Sequence, residues 1–547
     1  MRSAAFSLIL VAQSFAATPW LPQVEPIAPG LTGVHYDAGA GYRMDFNAAP
    51  GSYTVWFSPD LSIGSWVDQA TVTVPAGGIA GSHTDAAASS RPKGFYRLEG
   101  GITAGAYRLM IPSHTLEWGF GDPPLARGDF SRGMTRFDAT LEIRDPLLGG
   151  VMQLENGSAI IHGMRPGLGF PDAYGDALPG NRLPLLADAQ GFDLPLPEAP
   201  FGTPFGSGTE AGRMIEVRPL EPDDNVLAAI SPRFHQATTY GPEPADFEGI
   251  SIELPLLVRK STNADATDLA GPWGFVVFGG ESYDRMFGEE DSGNVIEYRV
   301  NVVTGEITAG ASDQGTLDVL MDRSFSVRQP FDPARPIEAS AGEDAEGFAI
   351  PFQLDVDGGI VIAGEPPDGA SITGQVSPGA AFMALASFVP GPGISGYESG
   401  IDLESEIVLG VKRDTNPDLD GRGFDMLWLS LFIDEGEIEI IRTRKGSTLT
   451  FDAAAGEVSA NLAMDWDYIG FDGWHGSGGD EEMMEFALPY SVGQDGLILF
   501  GFEDEEESFN VSGFLQQEGG LIVMGVMSEE PGENSYETGL LILREIP

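Results

Sequence analysis

The chain has 547 residues, and its 82 Asp and Glu stand against 29 Lys and Arg, for a formal net charge of -53. That charge repels a phosphate backbone instead of displacing its counterions, which excludes a nucleic-acid partner, and it is equally unsuited to an anionic bilayer surface. With 42% hydrophobic residues there is material for real cores, 73 Gly and 40 Pro interrupt long helices, and the absence of Cys removes disulfides, thiolate catalysis and cysteine zinc sites. Residues 1–16 read as a secretory signal peptide. Arg2 is the basic region, Phe6 and Leu8 to Val11 the apolar region, and Ser14-Phe15-Ala16 the small-x-small cleavage site. No later segment reaches the ~18 apolar residues of a membrane helix. The expected location is therefore secreted or at the cell surface, with no membrane span.

Residues 17–100 carry short β-prone runs broken by turn residues: Tyr53 to Phe57, Ser65-Trp66-Val67, Ala70 to Val74 and Gly94 to Leu98. This spacing predicts a small β-sandwich. The Ser58-Pro59-Asp60-Leu61 turn, Trp66 and the closing Phe95-Tyr96-Arg97-Leu98 resemble a short immunoglobulin- or fibronectin-III-like module of secreted bacterial proteins. The resemblance implies a spacer or display role.

Two long segments then repeat. Asp268-Leu269-Ala270-Gly271 matches Asp418-Leu419-Asp420-Gly421, and a hairpin at Thr304-Gly305-Glu306 matches Ala455-Gly456-Glu457. Phe348-Ala349-Ile350-Pro351-Phe352 matches Phe486-Ala487-Leu488-Pro489-Tyr490, followed by Asp357-Gly358 and Asp495-Gly496. Gly374-Gln375-Val376 matches Gly513-Phe514-Leu515, and each copy closes on an apolar strand ending in Arg413 or Arg544. A fainter copy runs from Ala104-Gly105-Ala106-Tyr107 to Leu254 through Lys260, with a Gly/Pro-rich insertion at 163–213. Phe348, Ile350, Phe352 and Leu354 alternate with smaller or polar residues, as do Phe486, Leu488 and Tyr490, which predicts half-buried antiparallel strands. The expected fold is all-β: the sandwich at 17–100, then three related antiparallel units of about eight strands, barrel- or sandwich-like, at 101–266, 267–417 and 418–547. These copies resemble β-rich repeats of exported proteins of environmental bacteria, and Gly271-Pro272-Trp273 is similar to the Gly-x-Trp opening of lipocalin-type barrels.

No Gly-x-Ser-x-Gly elbow, His-Glu-x-x-His, phosphate-binding loop or dinucleotide fingerprint occurs. The alternating oxygens of Asp414, Asn416, Asp418 and Asp420 are a candidate Ca2+ loop, although an EF-hand register from Asn416 puts Leu427 where a bidentate Glu is needed. Trp466, Tyr468 and Trp474 sit among carboxylates, the flat faces and acceptors a sugar requires. The expected function is a non-catalytic structural or binding protein with a polysaccharide or cell-surface partner. The alternative is a carbohydrate-active enzyme or carbohydrate-binding protein.

Overall fold

Antiparallel strands make up nearly all of the computed structural model, and Ala266–Leu269 is the one α-helix among the described residues. Before residue 247 the described residues are 10–13, 30–37, 41–47, 51–58, 67–74, 80–85, 93–100, 105–119, 129–145, 149–164, 171–178, 181–187, 192–195, 214–220, 226–229 and 231–237. From 247 to 546 they are continuous except at 286–292, 331–335, 345–346, 364–370, 391–400, 435–436, 445, 471–474, 481–482, 494, 504–506, 518–519, 531 and 533.

The N-terminal region holds two small sheets. One has the order Leu10–Gln13, Lys93–Gly100, Gly51–Ser58, Val67–Val74; the other joins Gly30–Asp37, Gly41–Asn47 and Ala80–Asp85. The two strands expected near 67 and 70–74 are one strand, Val67–Val74, and Ser65 and Trp66 lie outside the described residues. Leu10–Gln13, inside the segment read as a signal peptide, pairs with Lys93 through Tyr96.

Three eight-stranded barrels follow. In the second, the ring runs Gly293–Ala311, Gly271–Arg285, Ile401–Lys412, Phe382–Pro390, Ser371–Val376, Gly359–Ala363, Phe348–Leu354, Gln314–Pro330 and back to the first strand. In the third it runs Thr448–Asp452, Glu457–Leu462, Met484–Val492, Leu497–Glu503, Ser508–Leu515, Leu521–Glu530, Ser535–Glu545, Gly423–Asp434 and back. The first closes Gly105–Gly119 through Asp129–Asp145, Gly149–Met164, Asn181–Ala187, Phe192–Pro195, Met214–Pro219, Val226–Ala229 and Leu256–Arg259. Asn181–Ala187 and Phe192–Pro195 both come from the Gly/Pro-rich stretch 163–213.

The second and third barrels share one strand order. Where the second has long strands at Gly293–Ala311 and Gln314–Pro330, the third breaks each in two. Glu437–Thr443 and Met464–Gly470, with His475–Gly479, continue one wall of the third barrel as a flap beyond its rim. The Asp-Gly turns fall at like points, with φ of 86° at Gly358 and 82° at Gly496, conformations that favour glycine. Each turn docks on the junction preceding its own barrel. The Asp357 carbonyl accepts the Ser261 N–H at 2.9 Å, and the Asp495 carbonyl accepts from the Arg413 guanidinium. The Thr304-Gly305 hairpin is a correction. Gly305 lies at a bulge within a strand, and the true turn falls between Ala311 and Gln314, whereas Gly456 does sit in the turn at φ 70°.

The second and third barrels each have their own interior. Trp273, Phe275, Val303, Phe352 and Leu385 pack inside the second, and Phe424, Trp428, Phe451, Leu462 and Val526 inside the third. The outward faces are apolar too: Val276, Val300 and Val327 of the second meet Leu429, Ile440 and Val523 of the third in one continuous core, which also takes in Met110 and Val258 of the first. These strands are therefore buried on both faces where barrels meet, which accounts for their unbroken apolar runs.

The alternating strand departs from strict burial. Phe352 and Leu354 are buried and Ile350 and Leu488 half-buried, but Phe348 is 56% exposed and Phe486 37%. Proline supplies the reason. Asp355 N–H donates to Gly359 O and Gly493 N–H to Leu497 O, so by alternation the N–H positions of residues 351 and 489 also point at the following strand. Pro351 and Pro489 have no N–H. Pairing with that following strand stops one residue later, at Phe352↔Ile362 and Tyr490↔Phe500. Beyond Pro489 the seam between the two strands of the third barrel is unpaired as far as Glu503, and the inward-facing Phe486 is exposed there, as Phe348 is in the second barrel.

Candidate functional site

The rim of the third barrel brings together residues from six strands. Glu537, at the start of the closing strand, is the cross-strand neighbour of Phe432 on one side and Ser528 on the other. Ser528 pairs with Phe509, and Phe509 with Phe502. The next row down is Ser430, Gly539, Val526 and Val511. Val526, Val511 and Trp428 belong to the barrel's interior core, so by the period of two Glu537, Phe432, Phe509 and Phe502 face inward as well. They sit above that core, and Phe432, Phe502 and Phe509 are each partly exposed. Trp428 and Phe509 have ring centroids 5.8 Å apart, and Phe502 stacks on Phe509 at 6.1 Å. Across the open seam, Met484 and Phe486 present the same inward face at 39% and 37% exposure.

Glu537 is the polar centre of this mouth. It is 9% exposed, and its Oε1 has no hydrogen-bond partner. Trp428 donates its indole N–H to Ser430 Oγ, and the Ser430 hydroxyl in turn bonds Glu537. Gly539 makes room for this: a Cβ there would overlap the Ser430 hydroxyl. Burial pushes the Glu537 carboxyl up to about 7; the Ser430 bond pulls it down, and the nearby charges of Glu439 and Glu507 push it up. Burial, with Glu437 beside it, also raises the Glu439 carboxyl above the usual range.

The mouth continues onto the flap. Phe432 pairs with Glu439 and Glu439 with Tyr468; Ser430 pairs with Ile441 and Ile441 with Trp466. Trp466 and Tyr468, both partly buried, thus share one face with Glu439, Phe432 and Glu537. Their sequence neighbours Asp465 and Asp467 point to the other face, where Arg444 holds Asp465 at 2.6 Å and Arg442 holds Asp467 at 2.5 Å. Asp465 and Asp467 are therefore engaged on that other face. Trp474 lies outside the described residues. Asp414 Oδ1 accepts the Asn416 N–H at 2.9 Å, Asp418 Oδ1 the Asp420 N–H at 3.3 Å, and Asp420 Oδ1 the Ala453 N–H at 3.0 Å. Those oxygens accept backbone N–H groups, two within the segment and one from the Asp452–Glu457 hairpin, and no cluster of three or more potential metal-ligating side chains occurs among the described residues.

The second barrel carries the same position differently. Glu406 stands as far before Arg413 as Glu537 does before Arg544. Its neighbour across the strand is Gly279, which pairs with Arg299. Arg299 Nε lies 2.5 Å from Glu406 Oε1. In the third barrel Phe432 replaces Gly279 and Glu439 replaces Arg299. Sequence reasoning passed over Glu537 and Glu439. The available signal was an acid at inward parity in an apolar closing strand, in line with Gly539 and Leu541.

No family model matches the chain, and no curated protein matches it. Among solved structures, it is similar to a double mutant of transferrin binding protein B from Haemophilus parasuis at 8% identity and TM-score 0.23, covering 87% of this chain and 82% of that one. It is similar to transferrin binding protein B from Neisseria meningitidis at 8% identity and TM-score 0.18, covering 87% and 83%. It is also similar to kievitone hydratase from Nectria haematococca at 6% identity and TM-score 0.17, covering 52% and 91%. At these scores the barrels rest on their own strand pairings.

Proposed function

We propose that the chain is an exported, non-catalytic binding protein, acting outside the cell or at its surface, whose third barrel holds a small, largely apolar ligand at its mouth. The observation that carries this reading is the convergence of partly exposed Phe432, Phe486, Phe502 and Phe509 on one buried, half-satisfied acid. Ligand sites are concave, mostly apolar, and fitted with few polar groups. Trp466 and Tyr468 extend the aromatic wall over the flap, where they would cover a bound molecule. The test is saturable binding of a neutral fluorescent probe, N-phenyl-1-naphthylamine, to the full chain. Ser528→Trp, which fills the mouth beside Glu537, abolishes binding, and Thr450→Trp on the barrel's outer surface leaves it unchanged. Binding that survives Ser528→Trp overturns the reading.

A further inference from the structure

The ligand's chemical class follows from what the two barrels put at one position. In the second barrel an inward-facing acid, Glu406, is matched within the chain by Arg299. In the third, the position of Arg299 is taken by Glu439, so the base has become a second acid. Both charges acting on Glu537 are negative, those of Glu439 and Glu507. A carboxylate that is nine-tenths buried, with one oxygen lacking a partner, is costly unless something supplies a positive charge or a donor. Around it stand Phe432, Phe502, Phe509 and Trp428, whose ring faces attract cations but not anions.

We infer that the mouth of the third barrel binds an organic cation, an amine or quaternary ammonium group on an apolar body, with Glu537 and Glu439 as its counter-charges and the aromatic rings as its cage. The inference rests on the binding reading above. The cation takes the place that Arg299 fills in the second barrel. A metal ion fits less well, because carboxylate oxygens here are few and the remaining wall is aromatic. An anionic ligand would be repelled by all three acids.

The experiment compares benzyltrimethylammonium with its neutral carbon isostere, neopentylbenzene, as competitors of N-phenyl-1-naphthylamine on the full chain. The two differ only in charge. The ammonium ion binds more tightly, by about tenfold, the scale of one charge contact in a partly desolvated site. Glu537→Gln lowers that preference severalfold, and Glu439→Gln lowers it by less. Glu457→Gln, an exposed acid on the third barrel's strand Glu457–Leu462, removes the same charge and keeps the preference, which separates the site from the general pull of an acidic protein. The preference grows as pH rises through 7, where Glu537 gains its charge. Equal binding of the two competitors, or a preference undiminished in Glu537→Gln, overturns the inference while the mouth itself stands. Failure of the probe to bind at all removes the binding reading, and the cation with it.

Discussion

Replacing Glu537 by Gln keeps shape and hydrogen bonding but deletes the ionisation. In the folded chain the carboxyl is pushed from 4.5 up to about 7. The sign follows from proton counting. Below about pH 4.5 both folded and unfolded states hold the proton, and there is no penalty. As pH rises toward 7 the unfolded chain releases it while the fold retains it, so stability falls; above 7 the full penalty is in place. A rise of 2.5 at ~1.4 kcal/mol per pH unit gives a penalty of about 3.5 kcal/mol, and burial leaves little solvent screening to reduce it. Glu537→Gln is therefore more stable than the parent at pH 8, by up to about 3.5 kcal/mol, and equal to it well below pH 4.5. Hydrogen exchange along Ser535–Glu545, read by mass spectrometry and corrected for intrinsic rates, reports this locally, which matters because a chain of several barrels need not unfold in one step. The net charge of -53 also makes the parent less stable as pH rises. The measured quantity is thus the difference between Glu537→Gln and Glu457→Gln. If those two variants respond alike between pH 5 and 8, the buried, half-satisfied state of Glu537 is wrong.

Gly374 and Gly513 occupy equivalent sites, and a Cβ on either would overlap the backbone carbonyl oxygen of its neighbour, Ala384 or Val523. Ala at either position costs several kcal/mol, roughly 3 or more, because backbone cannot give way as a side-chain tip can; urea midpoints within about 1 kcal/mol of the parent would contradict this. Pro489→Ala restores the N–H that the seam lacks. The ladder between Met484–Val492 and Leu497–Glu503 then extends past Tyr490↔Phe500, the new backbone amide at position 489 becomes protected from exchange, and probe binding weakens as the mouth narrows. An unprotected amide with unchanged binding would show that proline does not hold the seam open.

The repeat was legible because its marks are backbone requirements. Gly358 and Gly496 need positive φ, Gly374 and Gly513 need the absence of a Cβ, and Pro351 and Pro489 end a ladder. Such demands tie a residue type to a place and survive wide change around them. The exposure of Phe348 and Phe486 was less legible, since alternation reports which face a residue is on and not whether that face is covered at that height. The Thr304-Gly305 hairpin failed for a related reason: glycine suits a bulge as well as a turn, and only the partner strand distinguishes them. Trp466 and Tyr468, two residues apart on Met464–Gly470, share a face. Their neighbouring carboxylates were assigned to the same site by proximity in sequence, whereas the pleat turns Asp465 and Asp467 away to Arg444 and Arg442.

The site itself stayed hidden because it is assembled by barrel closure. Glu537, Glu439 and Phe432 lie on three strands, and no local pattern links them until Gly423–Asp434 pairs with Ser535–Glu545 on one edge and Glu437–Thr443 on the other. The internal repeat then supplies the contrast that a single unit could not. One scaffold position holds an acid in both barrels; its partner is a base in one and an acid in the other. The Glu406–Arg299 pair needs nothing from outside, so the second barrel is internally balanced there. Glu537 with Glu439 is not, and the fold sets them on one face with Phe432 between them. Two acids placed this way oppose folding on their own account. Their retention beside an aromatic wall is what a site for a positively charged ligand requires, since the ligand repays the electrostatic cost only when it is bound.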